Sequence, residues 1–201
     1  MAGEQPLTLI HTAGLSPALA DARRIMAVNL VASVKLLDVL EPVLSPGSVA
    51  VIIASIAGHM MPAIPDAQAL LASPLVPAFV DSICGLIDAM TQGEPAHAPG
   101  LSYSLSKQAV MGLVEQRAVA WGRHGARITS ISPGMILTPM ERKELAETKG
   151  AAETQDAAPA GRAGIAADIA FAARFWRATR RVSSRVATCA WMEARSRRCV
   201  R

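Results

Sequence analysis

The stretch Ser48-Val49-Ala50-Val51-Ile52-Ile53-Ala54 is the strongest strand signal in the chain. Its unbroken run of apolar, largely β-branched residues is typical of a strand that is buried on both faces of a parallel sheet. The run ends at Ser55, and Gly58 follows three residues later. We therefore expect further strands on either side of it and helices that cover both faces.

Two shorter runs supply these neighbouring strands. Thr8-Leu9-Ile10-His11-Thr12-Ala13-Gly14 predicts a strand that breaks at Gly14, and Arg127-Ile128-Thr129-Ser130-Ile131 predicts one that ends before Pro133-Gly134. Helices are predicted over about 18–41 and 102–122, after Thr138 and from Ala166. Alternating strands and helices indicate an α/β fold with a parallel sheet and right-handed crossovers.

The predicted helix near the middle of the chain carries a candidate acid. In Ser102-Tyr103-Ser104-Leu105-Ser106-Lys107, the only tyrosine of 201 residues precedes a lysine by four positions. Residues at i and i+4 share one helix face, so the phenol and the ammonium would project together. A nearby cation lowers the pKa of a phenol from about 10 toward neutrality, which suits acid/base work. Taken alone, this spacing also fits an ordinary amphipathic helix whose lysine lies along the surface.

These residue types fit the reduction of a carbonyl group. Hydride addition builds negative charge on the carbonyl oxygen, so a proton donor and a second hydrogen-bond donor must converge there, and Tyr103 and Ser55 can supply them. No side chain carries a hydride, so the chemistry implies a nicotinamide cofactor beyond the carboxyl ends of the strands. Ser55 could alternatively be a small polar residue at a strand end without a further role. Asn29 lies inside the helix predicted over about 18–41, and a local hydrogen bond alone could account for it.

From about Leu7 to Phe175 the chain resembles the short-chain dehydrogenase/reductase family. The family's pattern is a strand ending in Asn-Asn-Ala-Gly, a helix asparagine, a strand-end serine, Tyr-x-x-x-Lys, and Pro-Gly followed by a threonine. The resemblance implies a Rossmann-like parallel sheet with flanking helices, NAD or NADP as cofactor, and a small carbonyl or alcohol substrate.

The resemblance also implies roles for individual residues. Asn29 corresponds to the asparagine that holds a water in the proton relay, Ser55 to the serine that binds the substrate oxygen, and Tyr103 to the acid/base. Lys107 corresponds to the residue that binds the nicotinamide ribose and lowers the pKa of the phenol. The implied cofactor-binding residues are Ala13, Gly14, Tyr103, Lys107, Pro133, Gly134, Ile136 and Thr138. His11 and Thr12 stand where the family has two asparagines, so the hydrogen bonds made there should differ.

A Pro- and Ala-rich insertion spans about 59–99 and separates Ser55 from Tyr103 by 48 residues. Its short apolar stretches predict short helices that cover the substrate pocket as a lid or form a subunit contact. A surface excursion without such a role is equally compatible with the sequence. Similar insertions occur in bacterial members that resemble 3α-hydroxysteroid dehydrogenases and carbonyl reductases.

The chain opens at what resembles the family's fourth strand. The first βαβαβ half is therefore expected to be missing, with the Gly-rich turn that cradles the cofactor's pyrophosphate. We expect residues 1–175 to form a partial domain with an incomplete sheet, and unaided cofactor binding to be weak.

The composition changes abruptly after Phe175. Residues 176–201 hold eight arginines and one acidic residue, whereas residues 1–175 hold 12 basic and 15 acidic residues. The tail can be back-translated into codons that, with one C restored before Trp176, encode LASDEASFITGSDLRMDGGAIAALR, which resembles the family's last strand. We therefore expect a frameshift, a missing last strand and a disordered tail over 176–201.

The remaining signals concern partners and location. The histidines and cysteines have neither metal-ligand nor disulfide spacing, so no metal is expected. The lack of a signal segment and of a long apolar run predicts a cytoplasmic protein without membrane contact. The basic tail has no interleaved aromatic residues beyond Trp176 and Trp191, and the rest of the chain is acidic, which argues against nucleic acid as a partner. An intact chain is expected to form a homo-oligomer. The alternative function is that of a non-catalytic remnant or subunit-association fragment.

Overall fold

The computed structural model describes residues 5–139, 162–178 and 188–190. The strands are β1 (Thr8–His11), β2 (Val49–Ile53), β3 (Arg127–Ser132) and β4 (Thr188–Ala190). The helices are α1 (Ala22–Met26), α2 (Ala32–Leu40), α3 (Ile56–Met60), α4 (Pro65–Leu71), α5 (Phe79–Met90), α6 (Ala98–Arg123) and α7 (Ala166–Ala178). A π-helical turn (Ala27–Val31) joins α1 to α2, and a 3₁₀ turn (Glu41–Val43) follows α2.

The four strands form one parallel sheet in the order β1-β2-β3-β4. Val51 in β2 lies opposite Ile10 of β1 and Thr129 of β3. Four of the five residues of β2 are buried, as its unbroken apolar run predicts for a central strand. The α/β class with a parallel sheet and flanking helices is confirmed.

The structure differs from the sequence-based expectation at β4. No last strand was expected, yet Thr188–Ala190 pairs with Ser130–Ser132 at the edge of the sheet. The physical reason is that an edge strand offers unpaired backbone N–H and C=O groups, which a neighbouring segment can bond whatever its side chains. The other tail residues from 179 onward, and the short helix expected after Thr138, lie outside the described residues.

Alternating residues of β2 serve two apolar layers, because successive side chains of a strand point to opposite faces. Ala50 and Ile52 join the larger core with α1, α2, α5 and α6. Val49 and Val51 face α7, where they pack with Ile131 and Ala173. The helix predicted from Ala166 therefore covers the second face of β2 and β3, and it ends at Ala178, three residues beyond the composition change.

The insertion over 59–99 is part of the core. Its predicted short helices are present, and Phe79, Ile83 and Ile87 on α5 are at most 2% exposed. None of the described residues of the insertion lines the cleft at the carboxyl ends of the strands. The expectation of a lid over that cleft is therefore wrong, because the apolar face of α5 is buried against α1 and α6.

The long helix predicted over about 18–41 begins later and is interrupted. Asp21 caps α1 by accepting a hydrogen bond from the backbone N–H of Arg24. The π-helical turn then places Asn29 on the buried side. Near its end, the helical segment is tied to α6 because Arg117 pairs with Asp38 and, at 2.8 Å, with Glu41. None of the helices formed by the described residues is long and apolar enough to cross a bilayer.

Candidate active site

A cleft of about 740 Å³ opens where β1, β2 and β3 end, and it continues along α7. It brings together seven of the eight predicted cofactor-binding residues and three of the four predicted catalytic residues. The predicted residues that line it are Gly14, Ser55, Tyr103, Lys107, Pro133, Gly134, Ile136 and Thr138. Ala13 and Asn29 are not part of the lining. The shared location follows from the fold, since parallel strands end at one edge of the sheet.

Ser55 sits between the end of β2 and the start of α3. It is the N-cap of α3, and its hydroxyl oxygen accepts a hydrogen bond from the backbone N–H of Ala57 at 3.2 Å. The backbone on either side is bonded to the end of β3, from Ala54 to Ile131 at 2.8 Å and from Ile56 to Pro133 at 2.9 Å. Because the cap uses an acceptor of the hydroxyl, its hydrogen can be directed into the cleft.

Tyr103 and Lys107 share one face of α6, as their spacing predicts. The ammonium of Lys107 lies 5.7 Å from the centroid of the Tyr103 ring. It donates a hydrogen bond to the main-chain oxygen of Ile53 at 2.9 Å, and the side chain is largely buried. Burial lowers the pKa of Lys107 from its usual value to about 8. The cleft therefore contains a phenol beside an amine that is easily deprotonated.

Gly14 leaves open space beside this amine. A Cβ at this position would lie 3.5 Å from Nζ of Lys107 and 3.4 Å from Oδ1 of Asn29. Asn29 holds the loop that follows Gly14. Its side chain accepts a hydrogen bond from the backbone N–H of Leu15 at 2.8 Å and donates one to the backbone carbonyl of Leu15 at 3.0 Å. Asn29 therefore acts through the loop that borders the cleft.

His11 makes a contact that the family's asparagine pattern does not predict. Its Nε2 lies 2.8 Å from the hydroxyl of Ser33, which in turn donates to the main-chain oxygen of Asn29 at 2.7 Å. Burial, together with the positive charge of Lys107, holds the pKa of His11 below its usual value. The histidine is thus part of the buried support around the π-helical turn.

The segment from Pro133 to Thr138 is held in place by residues that sequence reasoning missed. Gly164 bonds to both sides of Ile136, through the Met135 carbonyl at 2.9 Å and the Leu137 N–H at 2.8 Å. A Cβ on Gly164 would lie only 2.5 Å from Cδ1 of Ile136. A side chain at this position would therefore displace the end of the Ile136 side chain, so glycine suits the close approach of the two segments.

An ion pair between Arg162 and Asp168 lies next to Gly164 in the chain. Arg162 binds both carboxylate oxygens of Asp168, at 2.8 and 3.1 Å, and Asp168 also accepts from the backbone N–H of Ile165. The guanidinium holds the pKa of the Asp168 carboxyl below its usual value. Sequence reasoning also missed the contribution of α7 to the cleft, although its apolar spacing contained the signal. The α7 residues that line the cleft are Ala166, Ile169, Ala170, Ala173, Arg174 and Arg177.

Within the part of the chain that the structure describes, no group of three or more His, Cys, Asp or Glu side chains could hold a metal ion. Two of the histidines are instead paired with serines: His11 with Ser33 and His59 with Ser132.

Comparisons with known proteins agree with this arrangement. A family model described as enoyl-(acyl carrier protein) reductase matches residues 82–178. A short-chain dehydrogenase/reductase of Alternaria brassicicola is 28% identical over 185 residues, which cover 85% of this chain and 61% of that protein. The 3-alpha-hydroxysteroid dehydrogenase/carbonyl reductase of Comamonas testosteroni is 30% identical over 134 residues, covering 66% of this chain and 49% of that protein. The chain thus spans about half to three fifths of the length of these relatives.

A similar fold occurs in the 3-alpha-hydroxysteroid dehydrogenase from Pseudomonas sp. B-0831, whose crystal structure contains NADH. It has a TM-score of 0.72 and 24% identity, covering 92% of this chain and 70% of that one. The parallel sheet, the cleft with its tyrosine and lysine, and these sequence relatives together lead to one conclusion: the chain belongs to the short-chain dehydrogenase/reductase family of oxidoreductases.

Proposed function

We propose that this chain carries the catalytic residues of an NAD(P)-dependent oxidoreductase that transfers hydride between a nicotinamide and a small carbonyl or alcohol substrate. The observation that carries the proposal is the convergence of Ser55, Tyr103 and Lys107 on one cleft, bordered by Gly14 and the segment from Pro133. Ser55 lies at the end of β2, whereas Tyr103 and Lys107 lie on α6, so their convergence is a property of the fold.

The residues of the cleft fit a nicotinamide riboside. The space at Gly14, which a Cβ would fill, lies beside the Lys107 amine, so a ribose there could accept a hydrogen bond from it. Ile136 and Thr138 line the same cleft and would contact the ring and its carboxamide. A nicotinamide cofactor, when bound, supplies or accepts the hydride. The proposed cofactor is NAD or NADP.

Tyr103 and Ser55 are the proposed groups at the substrate oxygen. As hydride reaches the carbonyl carbon, Tyr103 would donate its phenolic proton to the developing alkoxide, and in the reverse direction it would take that proton back. The Ser55 hydroxyl would donate a hydrogen bond to the same oxygen. Its cap on α3 and the flanking bonds to β3 preorganise it for this role.

Lys107 and Asn29 are proposed to support the acid. The cation of Lys107 close to the ring favours the phenolate, which makes Tyr103 a better proton donor near neutral pH. Asn29 holds the loop at Leu15 beside Gly14, which keeps that side of the cleft in place. Of the two, only Lys107 faces the cleft, so Asn29 is a positioning residue.

The relatives support the substrate class in general terms only. One is named a 3-alpha-hydroxysteroid dehydrogenase/carbonyl reductase, which matches the proposed carbonyl or alcohol substrate. The division into a partial domain over 1–175 and a tail over 176–201, with a cytoplasmic location, is part of the same proposal. A non-catalytic association role is the competing function, since the chain covers 61% and 49% of these two relatives.

The decisive experiment measures oxidation of NADH and NADPH with a panel of ketones and aldehydes. We expect Tyr103→Phe to lower kcat by about 10²- to 10⁴-fold, because it removes the proton donor and leaves the ring. Ser104→Ala is the matched control, since the Ser104 hydroxyl bonds to the Gly100 carbonyl of its own helix. Turnover that survives Tyr103→Phe would contradict the assigned role, and a complete lack of cofactor-dependent turnover would favour the non-catalytic alternative.

A further inference from the structure

Lys107 combines burial with access to the cleft. Its side chain is 7% exposed, and it lines the cleft through which a small molecule would enter. Its hydrogen-bond partner among the described residues is the neutral main-chain oxygen of Ile53, and the ion pairs formed by those residues do not include it. A lysine amine in such surroundings loses its proton readily, since no carboxylate of the described part of the chain forms an ion pair with it.

We propose that Lys107 is also a carbonyl-reactive amine, which forms an imine with small aldehydes that enter the cleft. This activity uses the same cleft as the proposed hydride transfer but does not require a nicotinamide cofactor. It would make Lys107 a site of covalent modification.

The steps balance without an added oxidant or reductant. The neutral amine attacks the carbonyl carbon, so that a C–N bond forms as the C=O π bond breaks, and a proton passes from the nitrogen to the oxygen to give a neutral carbinolamine. The hydroxyl group of the carbinolamine then takes up a proton and leaves as water, and the nitrogen lone pair forms the C=N bond of a protonated imine as the C–O bond breaks.

The neighbouring groups suit both steps. Ser55 lines the same cleft and can donate a hydrogen bond to the carbonyl oxygen during attack. Tyr103, whose ring centroid lies 5.7 Å from the amine, can protonate the departing hydroxyl group. Once formed, a protonated imine keeps one N–H, which can continue to donate to the Ile53 carbonyl.

Burial also supplies the reactive form of the amine. With a pKa of about 8, roughly a quarter of Lys107 is neutral at pH 7.5, against about a thousandth of an ordinary lysine. Lys35, which is exposed on α2, provides an internal comparison.

The test uses butyraldehyde at low concentration with cyanoborohydride, which traps protonated imines as stable secondary amines. Peptide mapping of the folded chain at pH 7.5 should show that Lys107 is labelled at least about tenfold faster than Lys35. In concentrated urea the two rates should become equal, because burial creates the difference. Equal rates in the folded chain, or an unchanged ratio in urea, would overturn the inference.

Two further measurements separate this inference from the proposed function. Tyr103→Phe should slow labelling of Lys107 by about tenfold or more without changing labelling of Lys35, and no effect on either rate would overturn the assigned acid. Labelling that NADH suppresses agrees with both proposals. Labelling that persists in saturating NADH upholds the inference and counts against placing the nicotinamide beside Lys107.

Discussion

Lys107 shows how one buried charge can affect both stability and chemistry. The residue is buried on α6, and its amine reaches the cleft and donates a hydrogen bond to the Ile53 carbonyl. Desolvation disfavours the charged form, and the pKa of about 8 measures this cost. A residue of this kind is tolerated in a core mainly where it has a function.

The depressed pKa predicts a specific dependence of stability on pH. The folded state binds fewer protons than the unfolded state between about pH 8 and 10.5, so Lys107 destabilises the fold fully below pH 8 and progressively less above it. The free energy of unfolding, relative to that of Lys107→Met, should rise by up to about 3 kcal/mol over this range. Urea denaturation at several pH values measures this difference. Lys35→Met, at an exposed position on α2, is the control for the removal of a lysine.

At the scale of elements, the crossing of α3 over α6 decides where Ser55 and Lys107 lie relative to each other. A Cβ on Gly58 would lie 2.7 Å from the backbone N of Gln108 and 2.8 Å from the backbone C of Lys107. The two helices therefore touch at their backbones, and only glycine permits this distance.

We expect Gly58→Ala to destabilise the fold by about 1–3 kcal/mol, because the methyl group must push α3 away from α6. Gly112→Ala is a matched control on α6, since a Cβ there meets no atom within 4 Å. It should be neutral or stabilise the helix by up to about 1 kcal/mol. Urea denaturation of both variants tests this pair, and equal effects would refute the crossing as described.

At the scale of the whole molecule, three exposed valines lie on α2, on the 3₁₀ turn that follows it and on α6. Val39, Val43 and Val119 are 72%, 62% and 61% exposed. Arg117 joins the two helices through Asp38 and Glu41, so these valines lie on adjoining elements. We call these three valines the α2–α6 surface, and it fits the expectation that an intact chain forms a homo-oligomer.

The homo-oligomer prediction can be tested on this surface. Val119→Glu should shift the molar mass toward that of a monomer in size-exclusion chromatography with light scattering, because it places a charge in the apolar contact. Val76→Glu, at a position that is 53% exposed in the insertion, separates this surface from the insertion: an unchanged mass assigns the contact to the α2–α6 surface, and a lowered mass assigns a subunit contact to the insertion. A wild-type chain that is already monomeric would contradict the prediction.

The sequence by itself determined the parallel α/β fold, and it named eight of the residues that line the candidate site. The reason is that strand periodicity, the Tyr103–Lys107 spacing and the strand-end positions of Ser55 and Gly134 are local properties, and parallel strands bring their carboxyl ends together. Only the tertiary structure decided that α3 and α6 cross closely at Gly58 and that Gly164 packs against Ile136.

The remaining differences have the same physical origin. The burial of α5, the His11–Ser33 contact and the pairing of Thr188–Ala190 with β3 depend on which surfaces meet across long stretches of chain. A propensity or a motif does not contain that information, because it describes what a segment can form and not what it packs against. The residues that line the cleft can therefore be predicted from local sequence patterns, whereas the contacts that hold these residues in place depend on the tertiary fold.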